Sequence, residues 1–336
     1  MKNLFIVCGL LIAIFLLPCC AHANDQVFKE YYEVRNYFGT AVSIHAYYDP
    51  KIDIASAVRE CWQKADQIQY NMNIYDEKNQ GDLNRLNKSG LNGVQVSDDV
   101  FTIFKHSLEF SRLTGGAFDV TVLPLIKLWK KCAKEGHLPD RKILEQAKAK
   151  VGWQNIRLKE PNMVFLMKQG MMVDFGSPSS GYFCDALAKI LEQHNIHDFL
   201  VDGGGELYYK GKEKGIIPWR VGIEDPFQKD KILAVIELRD RGVSTSGNYE
   251  KFVTIEGQKY SHIIDPVSGY PQKDTVSVTV IADTAETANE LSTGLCVMGG
   301  QKGIALIRSL KNIEALIIEN KNGIITRYQT DGFLPN

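Results

Sequence analysis

Four segments of this chain concentrate groups able to do chemistry. Ser261-His262-Ile263-Ile264-Asp265-Pro266 places a histidine three residues before a carboxylate, downstream of the hydroxyl-rich Gly242-Val243-Ser244-Thr245-Ser246-Gly247-Asn248-Tyr249. An imidazole titrates near neutral pH, so His262 with Asp265 close by is a candidate general base. The Asp265-Pro266 pair, followed by Gly269-Tyr270-Pro271, reads equally as turn chemistry. Farther on, Glu286, Asn289 and Thr293 recur at i, i+3 and i+7, which puts three oxygen donors on one helix face. Oxygen-only sets suit a hard cation such as Mg²⁺ rather than zinc. The bland alternative is a solvated polar face, with Ala285, Ala288, Leu291 and Leu295 buried behind it and Asp283 and Glu286 forming a capping box. The stretch Val173-Asp174-Phe175-Gly176-Ser177-Pro178-Ser179-Ser180-Gly181-Tyr182 is a small-residue loop feeding a helix start. Exposed N–H groups and the dipole there suit phosphate, although the glycine spacing and missing lysine exclude a Walker A loop. The last segment, Gly115-Gly116-Ala117-Phe118-Asp119-Val120-Thr121 with Pro124, reads alone as a helix C-cap leading into a strand.

The elements that must hold these segments follow from hydrophobic period. Tyr32 to Tyr48 alternates as a strand pair around Gly39, and Val58, Cys61, Trp62, Ala65, Ile68 and Met72 fall at helical spacing. Asp76 to Gly93 is polar and reads as a loop; Phe101, Phe104 and Leu108 start a helix that Gly115-Gly116 ends. Lys127 to Lys150 is charge-rich and reads as a helical excursion on the surface. Val164 to Val173 is a hairpin, Phe183 to His194 a helix and Phe199 to Val201 a buried strand. Strands Trp219–Ile223, Ile232–Leu238, Phe252–Ile255 and Val276–Ala282 precede a helix Thr284–Met298, a second helix and a closing hairpin. Strands in runs with inserted helices predict an α+β fold on a largely antiparallel sheet, with two subdomains meeting near residue 160.

Composition narrows the function. The chain has 336 residues, 44% apolar and 24% charged, with a formal net charge of −1, so it is globular and carries no electrostatic footprint for nucleic acid. Lys2, the uncharged run Leu4 to Leu17 and Ala21-His22-Ala23 read as a secretory signal peptide over residues 1–23, leaving 24–336 as the mature domain. The expected location is periplasmic and soluble, with lipid anchoring at Cys19 or Cys20 as the second reading. The mature cysteines Cys61, Cys132, Cys184 and Cys296 allow up to two disulfides or isolated buried thiols, and no C-x-x-C supports zinc.

In this order and at these separations the four segments resemble the ApbE family of flavin transferases, the FAD:protein FMN transferases, over Tyr31 to Tyr328. The resemblance implies an architecture related to the T-fold. It also implies bound FAD, Mg²⁺ near its pyrophosphate, and transfer of FMN to a Ser or Thr hydroxyl of a partner flavoprotein with release of AMP. Position by position, it implies Phe38 and Tyr75 flanking the flavin, and Ala117, Phe118, Asp119, Asp174, Ser180 and Ile264 contacting FAD. His262 matches the catalytic histidine with Asp265 as neighbour, while the Ser177 carbonyl and the side chains of Asn289, Ser292 and Thr293 match the metal position.

Two departures stand out. Asn289 replaces the usual aspartate, which keeps an oxygen and loses the charge unless Glu286 or Glu290 compensates. Ser179-Ser180-Gly181 replaces Ala-Lys-Gly, removing a cation that pairs with phosphate. The alternatives are hydrolysis of FAD to FMN and AMP, a flavin carrier without chemistry, and an exported solute-binding protein.

Overall fold

The computed structural model describes residues 28–76, 78–228, 230–248 and 252–333. The signal-peptide reading of 1–23 and the anchor at Cys19 or Cys20 lie outside these residues, as does Tyr249. Among the described residues, no helix is long and apolar enough to cross a membrane.

The chain opens with the hairpin β1 (Lys29–Tyr37) and β2 (Thr40–Tyr48). Phe38 and Gly39 turn it with φ of 53° and 79°, the left-handed pair that a two-residue hairpin turn needs. Helices α1 (Ile54–Met72) and α2 (Asp82–Ser89) follow, then β3 (Val94–Gln95), α3 (Asp98–Leu113), α4 (Leu123–Glu135), α5 (Arg141–Lys148), β4 (Ile156–Lys159) and β5 (Met163–Leu166). The second half runs α6 (Pro178–Gln193), β6 (Asp198–Asp202), β7 (Glu206–Lys210), β8 (Trp219–Glu224), β9 (Ile232–Leu238), β10 (Arg241–Gly247), β11 (Phe252–Ile255), β12 (Gln258–Ser261) and β13 (Thr275–Ala282). It closes with α7 (Ala285–Met298), α8 (Gly300–Arg308), β14 (Glu314–Lys321) and β15 (Ile324–Gln329).

Eight strands form the main sheet in the order β1-β2-β6-β7-β10-β13-β14-β15, and every neighbouring pair is antiparallel. The α+β expectation therefore holds. β13 is buried at every residue because both faces of the sheet are covered. Val278, Val280 and Ala282 pack with Ala288, Leu291 and Leu295 of α7, whereas Ile281 joins a second cluster with Trp219, Val221 and Ile236 of the β8–β9 hairpin. Alternation with period two sends neighbouring residues to opposite sides, so one strand serves two cores. A third cluster draws Val42, Ile44 and Ala46 of β2 together with Ala57, Cys61 and Ile68 of α1 and Phe183 and Leu187 of α6.

Several local expectations are corrected. The polar stretch 76–93 contains α2, whose Leu83 and Leu86 are fully buried and whose buried Asp82 accepts the Ser97 backbone N–H at 2.7 Å. The hairpin assigned to 164–173 is β4 with β5, one strand earlier, pairing Arg157 with Phe165. Residues 127–150 are largely helical as expected, but Trp129, Cys132 and Leu144 are buried with Ile255 and Ile264, so the excursion braces the interior. Residues 115–121 lead into α4 and form no strand. The cap of α7 is Thr284, which accepts the Thr287 N–H at 3.1 Å, while Asp283 pairs with Arg241 at 3.2 Å. Cys61, Cys132 and Cys184 are buried free thiols, so Cys61, Cys132, Cys184 and Cys296 form no disulfide among themselves.

Candidate active site

The site is built on α7, and two glycines let this helix approach its supports. A Cβ on Gly181 of α6 would lie 2.6 Å from the Ala285 carbonyl oxygen, and one on Gly242 of β10 would lie 2.3 Å from the Ala285 nitrogen. A residue without a Cβ is what permits backbones this close. Asp185 of α6 completes the junction, accepting the Ala285 and Glu286 N–H groups at 2.9 Å each. Tyr182, on the same helix, donates to Asp99 at 2.6 Å, so both side chains serve helix packing.

From this placement Asn289 and Thr293 meet the start of α6. The Ser177 hydroxyl donates to Asn289 Oδ1 at 2.5 Å and lies 2.8 Å from Thr293 Oγ1. Ser292 bonds elsewhere: its hydroxyl lies 2.8 Å from that of Ser246 on β10 and donates to the Asn289 carbonyl at 2.9 Å. The solvated-face alternative fails, because Glu286, Asn289, Glu290 and Ser292 are all buried. Glu286 and Glu290 find their partners on α3 instead of at Ser177. Glu286 Oε2 lies 2.8 Å from His106 Nδ1, and Glu290 Oε1 accepts the Ser107 hydroxyl at 2.8 Å. Burial raises the Glu290 carboxyl well above its ordinary range, with the Glu286 charge adding to the shift. The side-chain oxygens that converge are thus those of a serine, an asparagine and a threonine. Mg²⁺ is normally held through one or two carboxylates plus substrate phosphates and waters, so this neutral, mutually hydrogen-bonded set does not fit a resident Mg²⁺.

The loop carrying Ala117, Phe118 and Asp119 lies against the same helix. Phe118 is buried, and a Cβ on Gly294 would meet Thr114 Cγ2 at 2.9 Å and Phe118 Cβ at 3.2 Å. The Asp119 carboxylate knots its own loop. Oδ1 accepts the Thr121 N–H and hydroxyl at 2.8 and 2.6 Å, and Oδ2 accepts the Trp153 N–H at 3.0 Å. Burial raises the Asp119 pKa against the pull of those donors. The Asp174 loop is pinned beside it, since the Asp174 N–H donates to the Val120 carbonyl at 2.9 Å. Asp174 Oδ1 accepts the Gly176 N–H at 2.9 Å and Oδ2 accepts the Tyr75 hydroxyl at 3.2 Å. Burial raises the pKa of both Asp174 and Tyr75. The Tyr75 residue is nonetheless 63% exposed, with Lys130 Nζ 4.6 Å from its ring centroid. Phe38, at the hairpin tip, meets Phe183 of α6 edge-on at 6.0 Å, and Ser180 sits half-buried in the first turn of α6.

His262 is exposed and precedes two residues fixed in different cores. Ile263 packs with Val278, Leu291 and Leu295, whereas Ile264 packs with Trp129 and Leu144. The Asp265 carboxylate accepts the Val267 and Ser268 N–H groups at 2.9 and 3.3 Å, so both oxygens serve the turn. Trp129 of α4 donates its indole N–H to the Gly269 carbonyl at 2.8 Å and packs on Tyr260 and Tyr270. None of the four motif segments contains this brace, although Leu125, Trp129 and Cys132 at i, i+4 and i+7 carry its signal. Asn87 lies outside the motifs as well; it holds the Val173 backbone through bonds of 2.9 and 2.7 Å.

Known proteins share this fold. The ApbE family model matches residues 38–317. A FAD:protein FMN transferase of Vibrio cholerae is 30% identical over 331 residues, 97% of each chain, and one from Escherichia coli is 36% identical over 234 residues, 67% of each. Among solved structures, the flavin transferase ApbE from Vibrio cholerae superposes with a TM-score of 0.81 at 29% identity, covering 91% of this chain and 99% of that one. The ApbE protein from Thermotoga maritima gives 0.79 at 29% identity, covering 89% and 97%. The chain belongs to the ApbE family and is an enzyme, a transferase.

Proposed function

We propose that this chain takes FAD as substrate and transfers its FMN half to a Ser or Thr hydroxyl of a partner flavoprotein, releasing AMP. The acceptor oxygen attacks the phosphorus on the riboflavin side of the pyrophosphate. A P–O bond forms there, the bond to the bridging oxygen breaks, and that oxygen leaves on AMP. His262 takes the proton of the attacking hydroxyl, and its exposure leaves room for a macromolecular acceptor. Tyr75, exposed yet held by Asp174 and Lys130, offers a preset ring for the flavin, with Phe38 on the flavin's other flank. The start of α6, at Ser177 to Ser180, receives the pyrophosphate.

The observation that carries the reading is convergence. Segments far apart in sequence meet at Ser177–Asn289–Thr293 and at Asp174–Val120. The Mg²⁺ that the resemblance implies would sit among Ser177, Asn289 and Thr293, and the neutrality of that set keeps every step above free of a metal. The same neutrality favours a second reading, in which FAD is bound and carried, or cleaved by water, with no protein acceptor. Leu4 to Leu17 and Ala21-His22-Ala23 support a periplasmic setting for the reaction, with a lipid anchor as the variant.

The test is incubation of the purified chain with FAD and an acceptor flavoprotein domain, read by intact mass. Transfer adds one FMN to the acceptor and stops with His262→Ala. Free FMN and AMP beside an unmodified acceptor selects hydrolysis, and bound intact FAD selects the carrier.

A further inference from the structure

Asn289 is 3% exposed, and its carboxamide is only half used. Its Oδ1 takes the single proton of Ser177, so Ser177 in turn accepts from Thr293, whose hydroxyl is 2.8 Å away. This proton order leaves Nδ2, with two hydrogens, buried and without a hydrogen-bond partner among the described residues. A buried donor left unmatched is costly, so the site is organised for an acceptor that the free protein does not supply. The neighbouring element sets the chemistry of that acceptor. Ser177 stands at the N-cap of α6, a helix of 16 residues whose positive dipole end favours an anion at the same place, while its first N–H groups are spent: Pro178 has none, and Ser179 and Ser180 donate to the Phe175 and Ser177 carbonyls at 3.0 and 3.3 Å.

We infer that Asn289 binds the FAD pyrophosphate directly. Nδ2 donates to a phosphate oxygen at the position where the resemblance puts a carboxylate-held Mg²⁺, and FAD binding by this chain needs no divalent cation. The inference rests on the reading of FAD as substrate. Glu286 and Glu290 do not restore a metal here, since their carboxylates sit against His106 and Ser107 on α3 and not against Ser177, although Glu286 Oε1 and Glu290 Oε2 are, like Asn289 Nδ2, buried without a hydrogen-bond partner among the described residues. An amide donor and a metal are alternative answers to the same phosphate charge: one hydrogen-bonds to it, the other neutralises it from a carboxylate ligand.

The experiment titrates FAD into the purified chain by isothermal calorimetry, once with EDTA and once with millimolar Mg²⁺. The wild-type Kd is expected to agree within about threefold between the two buffers. Asn289→Asp faces the phosphate with a carboxylate, so its affinity falls by about tenfold or more in EDTA and recovers in Mg²⁺. Asn289→Ala weakens binding in both buffers with no recovery. A wild-type affinity that rises by about tenfold with Mg²⁺ overturns the inference without any variant, as does Asn289→Asp binding FAD in EDTA like the wild type. Failure to bind FAD in either buffer removes the substrate reading as well. Metal-free binding without transfer to the acceptor supports this inference and sinks only the transfer chemistry.

Discussion

Asp185 on α6 and Glu286 on α7 are joined by a bond of 2.9 Å from the Glu286 N–H to Asp185 Oδ2, while Asp185 Oδ1 takes the Ala285 N–H at the same distance. One carboxylate thus caps the helix that carries Asn289 and Thr293, from 100 residues away in sequence. Asp185→Ala leaves two N–H groups at the helix start unmatched, and is expected to cost about 2 kcal/mol of stability. Urea unfolding at neutral pH measures it. A change below about 0.5 kcal/mol, the range of ordinary surface substitutions, would show that the cap is dispensable.

The buried carboxyls make stability depend on pH in one direction. Burial pushes Asp185 up to about 7 from an ordinary 3.8, and raises Asp119, Asp174 and Glu290 as well. Between the ordinary and the raised values the folded chain holds protons that the unfolded chain has released, so stability falls as pH rises through that window. His106 adds the same sign. Its hydrogen bond to Glu286 raises its pKa above 6.5, giving stability that is present below the ordinary value and lost as pH passes the folded one. The expected result is a loss on the order of 2 kcal/mol between about pH 5 and about pH 8, read by thermal melts across that range. A flat or rising melting temperature contradicts it.

Much of this architecture was legible because the residues concerned follow local rules. The helical spacing of Val58, Trp62, Ala65 and Met72, and the strand pattern through β2 and β13, placed those elements at nearly the right bounds. The motif segments paired Ser177 with Asn289 and Thr293, and these three side chains meet. What was not legible depended on partners distant in sequence. α2 hid in a polar stretch because Asp82 and Asn84 are buried through bonds to the Ser97 N–H and to the Asn73 and Asp76 carbonyls, which periodicity does not register. Glu286 and Asn289 share a helix face by arithmetic, yet one bonds to α3 and the other to Ser177, a division decided by packing.

Tyr75 offers a test of how the flavin is held. Its ring is exposed, but its hydroxyl and face are fixed by Asp174 and Lys130. Tyr75→Ala removes a stacking surface together with its apolar contact, so FAD affinity is expected to fall by about tenfold. Tyr75→Phe keeps the ring and loses only the bond to Asp174, and should stay within about threefold of the wild type. Equilibrium dialysis against FAD separates the two. Equal losses would assign the effect to the Asp174 loop instead of the ring.

Trp129 tests whether His262 depends on support from outside its own loop. The loop closes on itself through the Gly269 N–H to the Asp265 carbonyl at 2.8 Å and the Asp265 N–H to the Tyr270 carbonyl at 2.9 Å. From outside, the Trp129 indole N–H is the partner of the Gly269 carbonyl. Trp129→Phe keeps most of the apolar packing with Ile264 and Leu144 and leaves that carbonyl without its donor, at a stability cost of about 1 kcal/mol. On the proposed reading of His262 as the base, a small misplacement slows proton transfer more than it weakens ground-state binding. The expected outcome is therefore a kcat for FMN transfer lowered by about five- to tenfold, with the Kd for FAD within about threefold of the wild type. If Kd rises in step with the fall in kcat, Trp129 supports the FAD pocket as a whole. If neither moves, the bonds within the loop suffice to place His262.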